Sequence, residues 1–185
     1  QCDLITELIL ADSVVSIDEN IGLPDSLIKI KVGSSLMNWG NISDCHYYEN
    51  IDISSKNPYF IMKDDCIYTS TMSSLLFAKS KETITIPEGV NIIESGAFAP
   101  KTGRNDEIKN INLPSSMNLI SDNAFSNLYA LENINVTAGG YYQSENGLLY
   151  SNDFALLHHC PQGRRGTVEV NKNVVTIYEN AFYYN

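Results

Sequence analysis

A fifteen-residue frame returns three times along this chain. A sequence that repeats itself at such a period folds by stacking like units rather than by enclosing one core. The first copy reads Ile84-Thr-Ile86-Pro87-Glu-Gly-Val90-Asn-Ile-Ile93-Glu-Ser-Gly-Ala97-Phe98. The second is Ile111-Asn-Leu113-Pro114-Ser-Ser-Met117-Asn-Leu-Ile120-Ser-Asp-Asn-Ala124-Phe125. The third, Val168-Glu-Val170-Asn171-Lys-Asn-Val174-Val-Thr-Ile177-Tyr-Glu-Asn-Ala181-Phe182, keeps every apolar position. From the proline position to the phenylalanine is eleven residues in all three. A degenerate copy, Leu8-Ile-Leu10-Ala11-Asp-Ser-Val14-Val-Ser-Ile17, stays in register until Gly22 stands where the phenylalanine belongs.

The apolar-x-apolar anchor of the frame can be followed through Leu8/Leu10, Ile30/Val32, Ile51/Ile53, Ile84/Ile86, Ile111/Leu113, Ile134/Val136 and Val168/Val170. These seven anchors lie 22, 21, 33, 27, 23 and 34 residues apart and cover nearly the whole chain. An apolar residue often stands three places earlier (Ile5, Leu27, Tyr48, Ile108, Leu131), giving the L-x-x-L-x-L core of a leucine-rich repeat. Alternation predicts a strand at each anchor, because neighbouring side chains on a strand face opposite ways. The Val-x-x-Ile-x-x-x-Ala-Phe stretch that follows steps by three and four, which predicts a short helical or 3-10 turn. No single unit can bury its apolar face alone, so neighbours stack. The expected fold is a repeat solenoid of the right-handed leucine-rich-repeat horseshoe kind, β-rich (α/β), with short helical or 3-10 turns and β-hairpin insertions. It forms a single domain over residues 1–185, with about seven repeats and no internal boundary.

Two units are long, and they resemble each other. Ile53, Ile67-Tyr68 and Leu75-Leu76 parallel Val136, Leu149-Tyr150 and Leu156-Leu157, with offsets that match to within one residue. Each insertion reads as a hairpin. Asn146-Gly147 turns the second, since both residue types tolerate positive φ, and Asp64-Asp65 turns the first. A third insertion, from Pro100 to Glu107, has the polar content of a solvated loop.

The frame I-x-I-P-x-x-V-x-x-I-x-x-x-A-F, interspersed with N-P-Y…I-Y…L-L units, resembles the BspA-type leucine-rich repeats over about the whole chain. The resemblance implies an exported, surface-attached or secreted protein, typically bacterial and also found in some parasitic protists. It also implies a role in adhesion to host proteins or other cells. The expected function is therefore a non-catalytic extracellular protein-interaction module whose partner is a protein or a cell-surface glycan. The alternative is a structural spacer of a surface protein, without a ligand of its own.

Composition narrows the partners. A formal charge of -10 repels phosphate backbones and anionic membrane surfaces, which need clustered Lys and Arg, so no nucleic-acid partner is expected. No apolar run approaches the roughly 18 to 20 residues that span a bilayer. The chain breaks off just after an Ala-Phe step, before the next expected strand. A longer repeat array, or end-to-end pairing of exposed solenoid ends, is the expected context.

Residues between and just before the anchors point outward from the expected sheet and make two ladders. One runs Glu7, Lys29, Asn50, Thr83, Asn110, Asn133, Thr167, and the other Ile9, Lys31, Asp52, Thr85, Asn112, Asn135, Glu169. They solvate an open sheet, with amides bonding along the rungs. The alternative reading is that they form a concave docking face, as solenoid curvature commonly makes it.

Catalytic, metal and cofactor sites are not expected. His158-His159-Cys160 has metal-capable side chains, but neighbours on a strand diverge and no second cluster completes four ligands. The aligned insert carries Phe77-Ala78-Lys79 there, so the histidines read as ordinary repeat positions. Cys45-His46 lacks catalytic geometry as sequence neighbours, and Cys45 falls at a small buried position. Asp64-Asp65 lacks calcium-loop spacing and reads as turn chemistry. Cys2, Cys45, Cys66 and Cys160 show no paired spacing. Asn41-Ile-Ser43 and Asn135-Val-Thr137 are glycosylation sequons, relevant only in a secreting eukaryote. In each of Tyr47-Tyr48, Tyr141-Tyr142 and Tyr183-Tyr184, one ring is expected in the core.

Overall fold

Alternating apolar residues make strands at the anchors, and a computed structural model describes them over residues 4–17, 26–38, 50–98 and 105–183. In chain order the strands are β1 (Glu7–Ile9), β2 (Lys29–Val32), β3 (Asn50–Ile53), β4 (Phe60–Lys63), β5 (Cys66–Thr69), β6 (Ser74–Ala78), β7 (Thr83–Thr85) and β8 (Ile92–Ile93). There follow β9 (Asn110–Leu113), β10 (Leu119–Ile120), β11 (Asn133–Val136), β12 (Tyr142–Glu145), β13 (Leu148–Ser151), β14 (Leu156–His159) and β15 (Thr176–Ile177). Stacked parallel pairs turn the chain into a β-solenoid of about seven turns.

Six anchors lie on two parallel stacks, β1-β2-β3 and β7-β9-β11. Within them Ile30, Ile84, Ile111 and Ile134 are fully buried. Each such side chain contributes about 2 kcal/mol by leaving water. The largest buried cluster extends from Cys66 to Leu149, with an N-terminal cluster around Ile30 and Leu36 and a C-terminal one around Tyr150 and Leu157.

The segment expected to be helical is something else. Among the described residues there is no helix. Pro-x-x-Val closes a single turn, Val90 N–H to Pro87 O at 3.3 Å and Met117 N–H to Pro114 O at 3.2 Å. The next residues form the two-residue strands β8, β10 and β15, and a second turn closes from Ala97 to Glu94, Ala124 to Ser121 and Ala181 to Tyr178. The period of three to four is thus the spacing of two turns. Each segment is too short to nucleate a helix, and its next N–H groups go to the neighbouring rung, as Leu119 N–H does to Asn91 O at 2.9 Å.

Both hairpins form. Asp64 and Asp65 turn the first with φ of 53° and 63°, and Asn146 and Gly147 the second with φ of 50° and 78°. Each hairpin delivers a strand that continues the second face: β6 pairs parallel with β8, and β14 with β15.

The seventh anchor, Val168/Val170, makes no strand. The hairpin β12-β13 occupies the edge it would have used. Gly147 O accepts the Ile134 N–H at 2.9 Å, and the Ser144 hydroxyl accepts that of Val136 at 2.9 Å. An edge so capped cannot template another strand. Val168 packs instead beside Leu148, Tyr150 and Leu157.

Candidate functional site

Asparagine between two apolar anchors must point away from the core, and parallel pairing sets it level with its counterpart on the next rung. Strands are about 4.8 Å apart, a gap that a side-chain amide can bridge. Thr83, Asn110 and Asn133 share one level, and Thr85, Asn112 and Asn135 the other. Asn110 Nδ2 donates to Thr83 Oγ1 at 3.4 Å, and Asn133 Nδ2 to Asn110 Oδ1 at 3.0 Å. On the second level Asn112 Nδ2 donates to Thr85 Oγ1, and Asn135 Nδ2 to Asn112 Oδ1, each at 3.0 Å.

The first stack carries charge in the same positions. Glu7 lies opposite Lys29, and Lys29 opposite Asn50, while Lys31 is level with Ile9 and Asp52. The Glu7 carboxylate meets Lys31 Nζ at 3.0 Å and Lys29 Nζ at 3.6 Å. The Lys31 hydrogen bond, with the charge of both lysines, holds the Glu7 carboxyl below its ordinary range. These groups are exposed, so salt screens them.

The structure therefore brings the ladder residues together as two separate three-rung sets. Thr167 and Glu169 are exposed but stand outside any strand, past the hairpin that caps β11. Arg164 braces this cap, its Nη1 donating to Glu132 O at 3.1 Å.

Register also corrects the alignment of the two hairpin units. Leu75 lies opposite Ile93 and Leu157 opposite Ile177. Ile67 faces Phe77 across the first unit, just as Leu149 faces His159 across the second. His158, His159 and Cys160 thus stand at the positions of Leu76, Phe77 and Ala78, one residue earlier than the sequence alignment implies. Phe77 is partly buried against the N-terminal core, and Leu76 belongs to that core. Burial draws the His158 imidazole below its ordinary value and that of His159 down to about 4.

Among the described residues no group of three or more His, Cys, Asp or Glu is arranged to hold a metal. No described helix is long and apolar enough to cross a membrane. Cys66 and Cys160 are buried free thiols whose pKa values burial raises. Tyr142 is buried and Tyr141 exposed. Cys2, Asn41, Cys45-His46, Tyr47-Tyr48, Tyr184 and residues 100–104 of the third insertion lie outside the described residues.

Residues 70–153 match the family described as BspA type Leucine rich repeat region, in six copies. Among solved structures, a leucine-rich repeat protein from Eubacterium ventriosum ATCC 27560 superposes on 97% of this chain with a TM-score of 0.56 at 18% identity. The pneumococcal vaccine antigen PcpA superposes on 96% with a TM-score of 0.48 at 15% identity. The chain spans 45% of the length of the first and 48% of the second. No curated protein matches it.

Proposed function

Because this chain carries BspA-type leucine-rich repeats, we propose that it is a non-catalytic interaction module, extracellular and displayed at a cell surface. It docks host or bacterial surface components on the concave face of its parallel strands, as an adhesin does, and needs no cofactor. The observation that carries this reading is the amide ladder. Asn110, Asn112, Asn133 and Asn135 are already hydrogen-bonded from rung to rung. A partner then meets fixed side chains and loses less by ordering them. Lys29, Lys31, Asn50, Asp52, Thr83 and Thr85 extend the face, and Thr167 and Glu169 add an exposed segment beyond the cap.

Binding of the immobilised chain to a panel of host-matrix proteins, bacterial surface components and glycans tests this reading. Saturable binding to at least one is expected. Alanine at the four asparagines should weaken it by about tenfold or more, the loss of a few interfacial hydrogen bonds. Absence of saturable binding across the panel would leave the spacer as the better description.

A further inference from the structure

The two hairpin units match strand for strand, so their residues can be compared by register. Phe60 and Tyr142 open β4 and β12, opposite Thr69 and Ser151. Glu94 and Tyr178 directly follow the paired residues Ile93 and Ile177. Ser80 and Gln162 stand two places after Ala78 and Cys160. At five positions, then, Phe60, Leu76, Phe77, Ser80 and Glu94 of the first unit are replaced by Tyr142, His158, His159, Gln162 and Tyr178. All five replacements line one cleft of about 660 Å³, beside Leu119–Ile120 and Asp122. Three apolar side chains have given way to hydrogen-bonding ones at one place, and the five residues come from three stretches of the chain, around Tyr142, His158–Gln162 and Tyr178.

Rings form much of the surround. The His158 ring lies edge-on to Tyr142 at 5.0 Å and 5.8 Å from Tyr178, while His159 sits 5.1 Å from Phe125. The Tyr178 hydroxyl donates to Asp122 Oδ1 at 3.2 Å. Gln162 is only 3% exposed and its Nε2 donates to Tyr183 O at 3.4 Å. Its Oε1, and Nε2 of His159, are buried without a hydrogen-bond partner. Leaving such atoms unpaired costs about 1–3 kcal/mol each, and the two residues that carry them both line the cleft, so a ligand that reaches these atoms as their side chains adjust would remove that cost.

Charge and donor pattern select the ligand class. Asp122 and Glu179 line the cleft and neither Lys nor Arg does, which excludes an anion. Gln162 Oε1 only accepts, whereas a neutral imidazole nitrogen donates or accepts according to its tautomer. A hydroxyl group can serve either, donating to the first and donating to or accepting from the second. Flat ring faces suit the C–H surface of a compact molecule that carries several hydroxyls. We propose that this cleft binds a neutral saccharide, with Gln162 and His159 as its innermost polar contacts and Tyr142, His158 and Tyr178 against the sugar ring. The site is separate from the asparagine ladder and stands or falls independently of it.

The chain has three histidines, so ring resonances can be followed individually by NMR. The whole chain is titrated with glucose, galactose, mannose, N-acetylglucosamine and disaccharides of these. At least one sugar is expected to shift the His158 and His159 signals saturably in the millimolar range. The double variant His158→Leu/His159→Phe restores residues that the first unit accepts in the same register. With binding then followed on the Tyr142 and Tyr178 ring signals, it should lose about tenfold or more in affinity, and Gln162→Ser independently should do the same. Circular dichroism and the urea midpoint should show both still folded. If no sugar in the panel moves these signals, or if both variants bind unchanged, the proposal is wrong. It is equally wrong if a lysine-rich peptide shifts them where sugars do not.

Discussion

The buried side-chain amide of Asn57 donates to the main-chain carbonyl of Gly33 at 2.9 Å, twenty-four residues earlier, and so ties one rung to the last. The same Nδ2 donates to Leu36 O at 3.1 Å, and its Oδ1 accepts from the N–H groups of Tyr59 at 2.8 Å and Phe60 at 3.1 Å. Asn105 repeats the device, donating to the Ser80 hydroxyl at 2.7 Å and accepting from Glu107 and Ile108. Asn57→Ala strands two carbonyls and two amides in a dry place. A loss of about 3 kcal/mol is expected, read from urea unfolding. A change below about 1 kcal/mol would mean that water replaces the side chain freely.

Gly163 marks a place where backbones nearly touch. A Cβ there would stand 2.6 Å from both the carbonyl carbon of Ala130 and the oxygen of Leu131. Its N–H already donates to that oxygen at 2.7 Å, so the chain cannot swing aside without losing the bond. Gly163→Ala should cost about 2–3 kcal/mol by overpacking. Gly166→Ala meets open space and only the strain of a φ of +77°, about 1 kcal/mol. Thermal midpoints of the pair check this. Equal losses would show that the rungs separate easily.

His159 makes stability depend on pH. Its imidazole falls from 6.5 to about 4 on folding because burial disfavours the charged form. Above 6.5 both states are neutral and the group has no effect. Between 6.5 and about 4 the unfolded chain takes up a proton that the folded chain refuses, so stability drops as pH falls through that window. The full effect is about 3 kcal/mol. His158 acts in the same direction. Asp122, Glu179, Tyr142 and Tyr178 share the cleft. Glu7, Asp12, Glu88 and Asp153, held below their ordinary values by hydrogen bonds, add a further loss at more acidic pH. His159→Phe should flatten the slope of the urea midpoint between about pH 7 and about pH 5. An unchanged slope would place the proton elsewhere.

The rungs were legible because burial repeats at fixed offsets: Ile84, Val90, Ile93, Ala97 and Phe98 are all buried, as their frame requires. The hairpin turns were legible because Asn-Gly and Asp-Asp accept positive φ. Helix was misread because two consecutive turns and a helix space apolar residues alike, and only inter-rung hydrogen bonds distinguish them. The alignment of the hairpin units slipped by one because the chain from Tyr68 to Leu75 is as long as that from Tyr150 to Leu157, while Leu-Leu pairs offer a false match one residue earlier. The end of the ladder at β11 follows from a tertiary bond between Ile134 and Gly147. The cleft is assembled from β10, β12, β14 and the turn after β15, and comparing Phe60, Leu76 and Phe77 with Tyr142, His158 and His159 was the signal that could have located it.

Every amide of the asparagine ladder donates toward the lower-numbered rung: Asn135 to Asn112 and Asn112 to Thr85, Asn133 to Asn110 and Asn110 to Thr83. Such aligned dipoles reinforce one another. The face consequently has a direction as well as an outline, with amide hydrogens aimed one way and carbonyl oxygens the other. An elongated partner laid across it encounters opposite poles in one sense and like poles in the reverse, so orientation would be selected before any individual side chain is recognised.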